Sequence, residues 1–344
     1  MLRYLCNGGA MKTLYLGYET AKWYWEHYAD NAVLLDDRPT RSRLVDCARS
    51  LDEVQDLVRH TQFWGRPLDV LTTDRVDVLS NATFHRVGEA YSPRSFVQVA
   101  PQVFVASPEL SFVQIAQHSS FPKTLLYGYA LCGVFALDEE RYSGLADRRR
   151  LISARHLNSY VDACAGHRGI GVARDAAQYV RDNSASPRES KLSMATTLPL
   201  CRGGKGFPAA KLNKRIDIPE RFAWSGGRNY YVADLYWEGC KVTAEYDSDL
   251  EHANRVSIYR DSDKRNTLMD MGYTPLCFTS VQLDDPAAFD HAAETLRRKL
   301  GVRKRPLPKN YQAKVDELRR ELDLSVYSYG SRRADDSRLL DFSW

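Results

Sequence analysis

The chain has 344 residues, 44% apolar and 27% charged, enough to bury a sizeable core and to divide it between two domains. A net charge of +4 is too slight to demand a nucleic-acid partner, so any binding patch must be local. Seven cysteines without a C-x-x-C pair exclude a disulfide framework and a zinc ribbon, and point to a reducing, cytoplasmic setting.

The N-terminus carries Arg3 but no apolar core with a cleavage site, so no secretion signal is expected, and Met11 is a candidate start. Thr13–Tyr28 has aromatics at helical spacing, and Trp23 and Trp25 are read as core in preference to a base-stacking platform. Asp36–Arg43 reads as a charged turn, Leu51–His60 as a short helix and Pro67–Leu79 as a strand. His85, Arg86 and Arg94 bracket an expected loop, where phosphate contact is weighed against simple solvation. Ser95–Val105 suggests a hairpin or bent strand around Pro101. Ser107 can cap a helix running to His118, with Pro108 and Glu109 suited to its first turn. Leu125–Leu137 is too short to span a bilayer and is expected to be a buried helix. The mixed charges of Asp138–Arg150 read as an exposed linker. Ser153–Gly166 and Gly171–Asn183 then read as helices around the basic turn His167-Arg168-Gly169, a pair expected to brace the following domain.

The next helix starts at Ser184-Ala185-Ser186-Pro187 and carries Glu189 in its first turn, where an acid favours the helix dipole. Cys201–Gly206 (CRGGKG) lacks the strand–loop–helix context of a Walker loop, so it is read as a flexible loop with Lys205 and Lys211 available to DNA. Leu212–Ile218 reads as a strand, with Asp217 as a spare acid that competes with Asp234 if the pairing register differs. Tyr230–Trp237 and Lys241–Tyr246 then flank a Glu238-Gly239 turn. Alternation along the second arm puts Glu245 and Asp247 on one face, and hairpin pairing brings Asp234 to the same end. Carboxylates this close raise each other's pKa unless a divalent metal or basic partners neutralise them, and Mg²⁺ (or Mn²⁺) suits such hard oxygen ligands. His252 follows, then a helix over Tyr259–Met271 whose Arg260, Lys264 and Arg265 can sit beside a phosphate. Gly272-Tyr273 ends it, and TPLCFT returns as a strand. Asp284–Leu300 reads as one amphipathic helix, Gly301–Pro308 as a basic linker and Tyr311–Leu324 as a helix supported by its own i, i+4 charges. The tail Ser325–Trp344 is expected to be mobile or to order on a partner through Leu339, Leu340, Phe342 and Trp344.

Asp234, Glu245-x-Asp247, His252, the basic helix and the GYTPLCFT strand together resemble the PD-(D/E)XK nuclease superfamily, in its branch similar to very-short-patch-repair endonucleases. SASPRESKL at Ser184–Leu192 resembles that branch's first helix, with Glu189 in the place of its helical acid. The resemblance covers about a third of the chain, roughly Ser184 to Gly301. It implies a restriction-endonuclease-like fold and metal-dependent phosphodiester cleavage, with Glu189 as an outer metal or water contact. Asp247 stands where the superfamily carries a lysine, as members of this branch often do without one; His252, Lys241 or Lys264 could take over that role. In the first half, HR…SFVQVAPQVFVASPELSFVQIA resembles the central part of abortive-infection antitoxin-like proteins, which implies a defence or mobile-element context.

The expected fold is α/β, α+β overall: an N-terminal α+β domain over 1–150, a helical connector over 151–183, a restriction-endonuclease-like mixed sheet flanked by helices over 184–301, and a basic linker, helix and tail over 302–344. The expected activity is metal-dependent endonuclease cleavage of DNA. Asp234 and Glu245 hold the metal, while Asp247, His252 and Glu189 assist; Arg260, Lys264, Arg265 and Lys205 contact the nucleic acid. The alternative is an inactive nuclease-fold scaffold that binds DNA or regulates a partner. No membrane association is expected; double-strand cutting would require two sites, hence a homodimer, and the tail offers a surface for a protein partner.

Overall fold

The structure, a computed structural model, describes residues 12–29, 35–74, 82–88, 90–164, 166, 168–222, 228–247 and 255–323. Met11, His167, His252 and the tail Ser325–Trp344 lie outside them. The fold is mixed α/β, and the chain divides into two compact units, one drawn from Met1–Tyr127 and Arg155–Ala177, the other from Gly128–Ala154 and Gln178–Trp344. Among the described residues no helix is long and apolar enough to cross a membrane.

The first unit is built on a six-stranded sheet of β1 (Leu14–Leu16), β2 (Thr40–Arg41), β3 (Leu68–Thr72), β4 (Ala82–Arg86), β5 (Phe96–Ala100) and β6 (Val103–Ala106), in the order β2-β5-β6-β1-β3-β4. Helix α1 (Tyr18–His27) follows β1, α2 (Leu51–Val58) precedes β3, and α3 (Pro108–Ile115) follows β6. The expected continuous helix over Thr13–Tyr28 is corrected: Leu14-Tyr15-Leu16 is a fully buried strand between β6 and β3, because sheet pairing on both sides outweighs helical periodicity. The core reading of the aromatics holds for Trp25, which is wholly buried and donates Nε1–H to the Ala106 carbonyl at 2.8 Å. Trp23 is half-buried under the Arg66 guanidinium. Thr40–Arg41, expected in a turn, is an edge strand on β5, and His85 and Arg86, expected in a loop, lie in β4 beside β3. Ser50 and Glu53 close a capping box on α2, and Ser107 caps α3.

Helix α4 (Phe121–Cys132) takes only the first part of the apolar run Leu125–Leu137; the rest forms strand β7 (Phe135–Leu137). The charged stretch expected as a linker supplies the loop and second arm of a hairpin, β7 pairing with β8 (Leu145–Asp147), and Arg148 is buried. Helices α5 (Ala154–Ala163) and α6 (Ile170–Ala177) group, from Arg155 on, with the first unit.

The second unit carries α7 (Pro187–Thr197), the strands β9 (Lys211–Asp217), β10 (Tyr230–Trp237) and β11 (Val242–Asp247), helix α8 (Arg255–Asp270) and strand β12 (Thr274–Thr279). The sheet order is β12-β11-β10-β9. Strands β9, β10 and β11 pair antiparallel, while β11 and β12 are parallel and joined by α8 as the crossover. The β10–β11 turn is a short 3₁₀ segment, Glu238–Cys240, closed by Lys241 at φ +51°. Leu268 of α8 packs with Ile216, Tyr231, Ala233 and Tyr236 of the sheet. Gly272 at φ +80° ends α8, with Tyr273 N–H returning to the Leu268 carbonyl.

The amphipathic helix expected over Asp284–Leu300 is α10 (Pro286–Lys299), and a short helix, α9 (Ser280–Asp284), precedes it. Asp285 breaks them by capping the Ala288 N–H, with Pro286 at the first helical position. Helix α11 (Tyr311–Glu321) closes the unit through buried Tyr311 and Leu318 as well as surface charges.

Candidate active site in the second unit

The β10–β11 ladder runs only from Trp237↔Val242 to Leu235↔Ala244, although β10 remains paired with β9 out to Tyr230 and β11 with β12 out to Asp247. Asp234 and Glu245 are the first residues beyond the last β10–β11 pair and stand opposite one another in that register. On the other side, the β9–β10 register skips one position, Asn213 opposite Asp234, where Asn213 takes φ +45°. Asparagine tolerates that left-handed backbone better than most residues. Asn213, Asp234 and Glu245 therefore form a row across three strands at a break in the sheet.

Side chains take over the backbone groups that the ladder releases. Asp234 Oδ2 accepts the Tyr246 N–H at 2.7 Å, and Lys264 of α8 donates to the Val232 carbonyl at 2.6 Å. The same ammonium lies 2.6 Å from Glu245 Oε2, whereas the buried Glu245 Oε1 has no hydrogen-bond partner among the described residues. Helix α7 adds Glu189. Its Oε2 accepts the Ala185 N–H and the Asn213 amide, at 3.0 and 2.6 Å, while Ser186 caps the Glu189 N–H at 3.1 Å. A capping acid and a site acid are thus one residue.

Among the described residues this cluster sets three carboxyls against one ammonium. Burial pushes Glu189 up to about 7, and the nearby Asp234 charge adds to it against hydrogen bonds from Ala185, Asn213 and Ser186. Glu245 is likewise pushed up to about 7, first by burial and then by Asp234, with Lys264 opposing. Burial also raises Asp234, against the Tyr246 N–H and the Lys264 charge. Carboxyls so placed share protons near neutral pH or recruit a cation.

The remaining expected site residues are distributed differently. Asp247 lies one strand repeat beyond Glu245 at the end of β11, 3.9 Å from the Cys277 sulfur, so it is beside the cluster. His252 lies outside the described residues. Arg260 and Arg265 are exposed on α8. Lys241 packs over the Tyr273 ring, which leaves Lys264 as the lysine that reaches the carboxylates. Asp217 is exposed and paired with Arg215 at the far end of β9.

Lys205 is a correction to the expected freely available cation. Its ammonium is held by Asp290 at 2.7 Å and the Tyr311 hydroxyl at 3.0 Å. The glycine loop before it is packed, because a Cβ on Gly203 would stand 2.4 Å from the Lys314 carbonyl oxygen and one on Gly204 2.2 Å from that of Leu198. Asn213 is the residue the sequence reading missed; only an asparagine inside an otherwise β-forming run marks it.

Among the described residues no group of three or more His, Cys, Asp or Glu side chains is arranged to hold a metal ion. Two carboxylates suffice for Mg²⁺, which keeps much of its water shell, and the unpartnered Glu245 Oε1 beside Asp234 supplies the hard oxygen donors such an ion takes. No protein-family model, curated protein or solved structure matches the chain.

Proposed function

We propose that the second unit hydrolyses DNA phosphodiester bonds with the help of a divalent metal. The observation that carries this reading is the placement of Asp234 opposite Glu245 just beyond the last β10–β11 pair, with Glu245 Oε1 unpartnered among the described residues and Lys264 on its other oxygen. Asp234 and Glu245 would hold Mg²⁺ or Mn²⁺, which when bound polarises a phosphoryl oxygen and lowers the pKa of water. Lys264 steadies Glu245 and offers its charge to the oxygens that become more negative as the phosphodiester is attacked. Glu189, pushed up to about 7 by burial and then by the Asp234 charge, is suited to accept a proton from the attacking water, and its bond from Asn213 fixes the carboxyl in place. Arg260 and Arg265, exposed on the helix that carries Lys264, are placed to follow a phosphate backbone. The resemblance of the first half to abortive-infection antitoxin-like proteins adds a defence or mobile-element setting.

The test is cleavage of supercoiled plasmid with Mg²⁺ or Mn²⁺ beside Glu245→Ala and an EDTA control. Cleavage by the wild type alone is expected; equal cleavage by the variant, or none by either protein on duplex and single-stranded substrates, refutes the reading.

One observation favours a second reading, a nuclease-fold scaffold that binds DNA without cutting it: Asp247 occupies the strand position of the superfamily's lysine, and Lys264 already satisfies one oxygen of Glu245. Calorimetric titration with Mn²⁺ in the presence of DNA separates the two, since the scaffold needs no metal.

A further inference from the structure

The first unit holds a second cluster of reactive side chains that the proposed nuclease site does not use. His85 on β4 places Nε2 2.7 Å from Asp69 Oδ1 on the neighbouring β3. The other Asp69 oxygen accepts from the Thr20 backbone N–H and hydroxyl at 3.3 and 3.4 Å, so the carboxylate is held from two sides. Among the described residues nothing bonds His85 Nδ1. An imidazole anchored on one nitrogen and open on the other presents that nitrogen to a ligand.

The ring of Tyr18 lies against His85, centroids 4.1 Å apart. Tyr18 takes φ +46° immediately after Gly17, an uncommon backbone state for an aromatic residue, and its N–H is tied to Gln114 Oε1 at 3.0 Å. Gly17 permits this approach, since a Cβ there would meet Leu71 at 2.8 Å and the Gln114 amide at 3.0 Å. Strained backbone that its surroundings hold in place is concentrated at functional sites. The Tyr18 hydroxyl reaches Gln117 Oε1 at 3.4 Å, and exposed His118 stands 5.8 Å away, ring to ring. Gly169, at φ +78°, brings the α5–α6 turn onto the Gln117 backbone, which puts exposed Arg168 close enough for its charge to act on Tyr18. Two imidazoles lie beside the Tyr18 phenol, Asp69 holds one of them, and the Arg168 charge acts on the same phenol.

We infer that Tyr18, His85, His118 and Arg168 form a binding site for the phosphate of a monoester, with Arg168 and Nδ1–H of a protonated His85 ring donating to its oxygens while His85 Nε2–H donates to Asp69. The phosphate can belong to a free nucleotide or to the 5′ end of a nucleic-acid strand, since both present the same dianion. Arg is suited to phosphate by its planar donor fork, and the Tyr18 hydroxyl adds a neutral donor. The inference stands on the first unit alone and survives failure of the nuclease reading.

The experiment titrates the full chain, without divalent metal, with inorganic phosphate, with AMP, and with a short DNA strand carrying either a 5′-phosphate or a 5′-hydroxyl. Binding is read by calorimetry and by the proton resonances of His85. Phosphate, AMP and the 5′-phosphorylated strand are expected to bind and to move the His85 resonances, the hydroxyl strand to bind more weakly than its phosphorylated counterpart, and Arg168→Gln and His85→Gln each to weaken binding about tenfold. Preference for the strand over AMP assigns the site to nucleic-acid ends, and the reverse to free nucleotides. Arg168 is exposed, so its variant tests the site even if His85→Gln fails to fold. Unchanged affinity in Arg168→Gln, or no binding of any phosphate-bearing probe by the wild type, overturns the inference.

Discussion

Replacing Asp234 with asparagine should stabilise the metal-free second unit at pH 8 while abolishing cleavage. The amide keeps the shape of the carboxylate and still accepts the Tyr246 N–H, so the bond at the sheet break survives. What disappears is a negative charge beside Glu189 and Glu245, both pushed up to about 7 from an ordinary 4.5. Acids with raised pKa bind more protons folded than unfolded between those values, so stability falls as pH rises from about 4.5 through 7. Each pKa unit corresponds to about 1.4 kcal/mol, and burial rather than Asp234 is the larger cause for both residues. Asp234→Asn should therefore recover about 1–2 kcal/mol at pH 8, counting both neighbours, and little at pH 5 where they are protonated. Hydrogen exchange of peptides covering Tyr230–Asp247 in EDTA reads the local stability directly. Destabilisation of similar size at both pH values would refute the argument, because it would make Asp234 a structural hydrogen-bond acceptor rather than a strained charge.

Lys264→Met should lower the cleavage rate about 10²-fold or more and raise the pKa of Glu245 further, whereas Lys264→Arg should recover part of the rate; equal rates in all three proteins would remove Lys264 from the mechanism. Asn213→Ala should destabilise by about 2 kcal/mol, through loss of the bond to Glu189 and the left-handed backbone, with Asn213→Gly milder because it keeps only the first defect; urea unfolding ranks the two. Asp284 is held below the usual carboxylate range, against burial, by Lys191 at 2.6 Å and Arg188 at 3.2 Å. Its contribution is present above its unfolded pKa and lost as pH falls through the lower folded value, so Asp284→Asn should cost about 1 kcal/mol at pH 7 and progressively less below pH ~4. Gly203→Ala meets the Lys314 carbonyl and a φ of +85° at once, and should destabilise by about 3 kcal/mol or more in thermal melts; a neutral effect would mean that α11 does not pack on this loop as described.

Local chemistry made the site-bearing elements legible. Alternation in Tyr230–Trp237 and Lys241–Tyr246 marked β10 and β11 within one residue, Ser186 with Pro187 marked the start of α7, and Gly272 marked the end of α8. Each signal acts over a few residues, so it needs no knowledge of the rest of the chain. The failures have one cause in common. Leu14–Leu16 carried a helical pattern and became a central strand because β3 and β6 lie on either side. Asp138–Arg150 carried linker-like charge, yet its Leu145–Asp147 pairs as a strand with the preceding Phe135–Leu137. Lys205 looked available, yet Asp290 and Tyr311, remote in sequence, hold it.

The same division runs through the site. The sequence by itself determined that Asp234 and Glu245 lie on the two arms of one hairpin, from the alternation of each arm about a short turn, while the register that sets them opposite one another came from the folded sheet. Only the tertiary structure decided that Lys264 reaches Glu245, that Asn213 holds Glu189, and that Asp247 sits at the margin of the cluster. These contacts depend on where α7 and α8 pack against the sheet and where its ladder stops. Such positions are set by the sum of many buried side chains, and no short stretch of sequence encodes them alone.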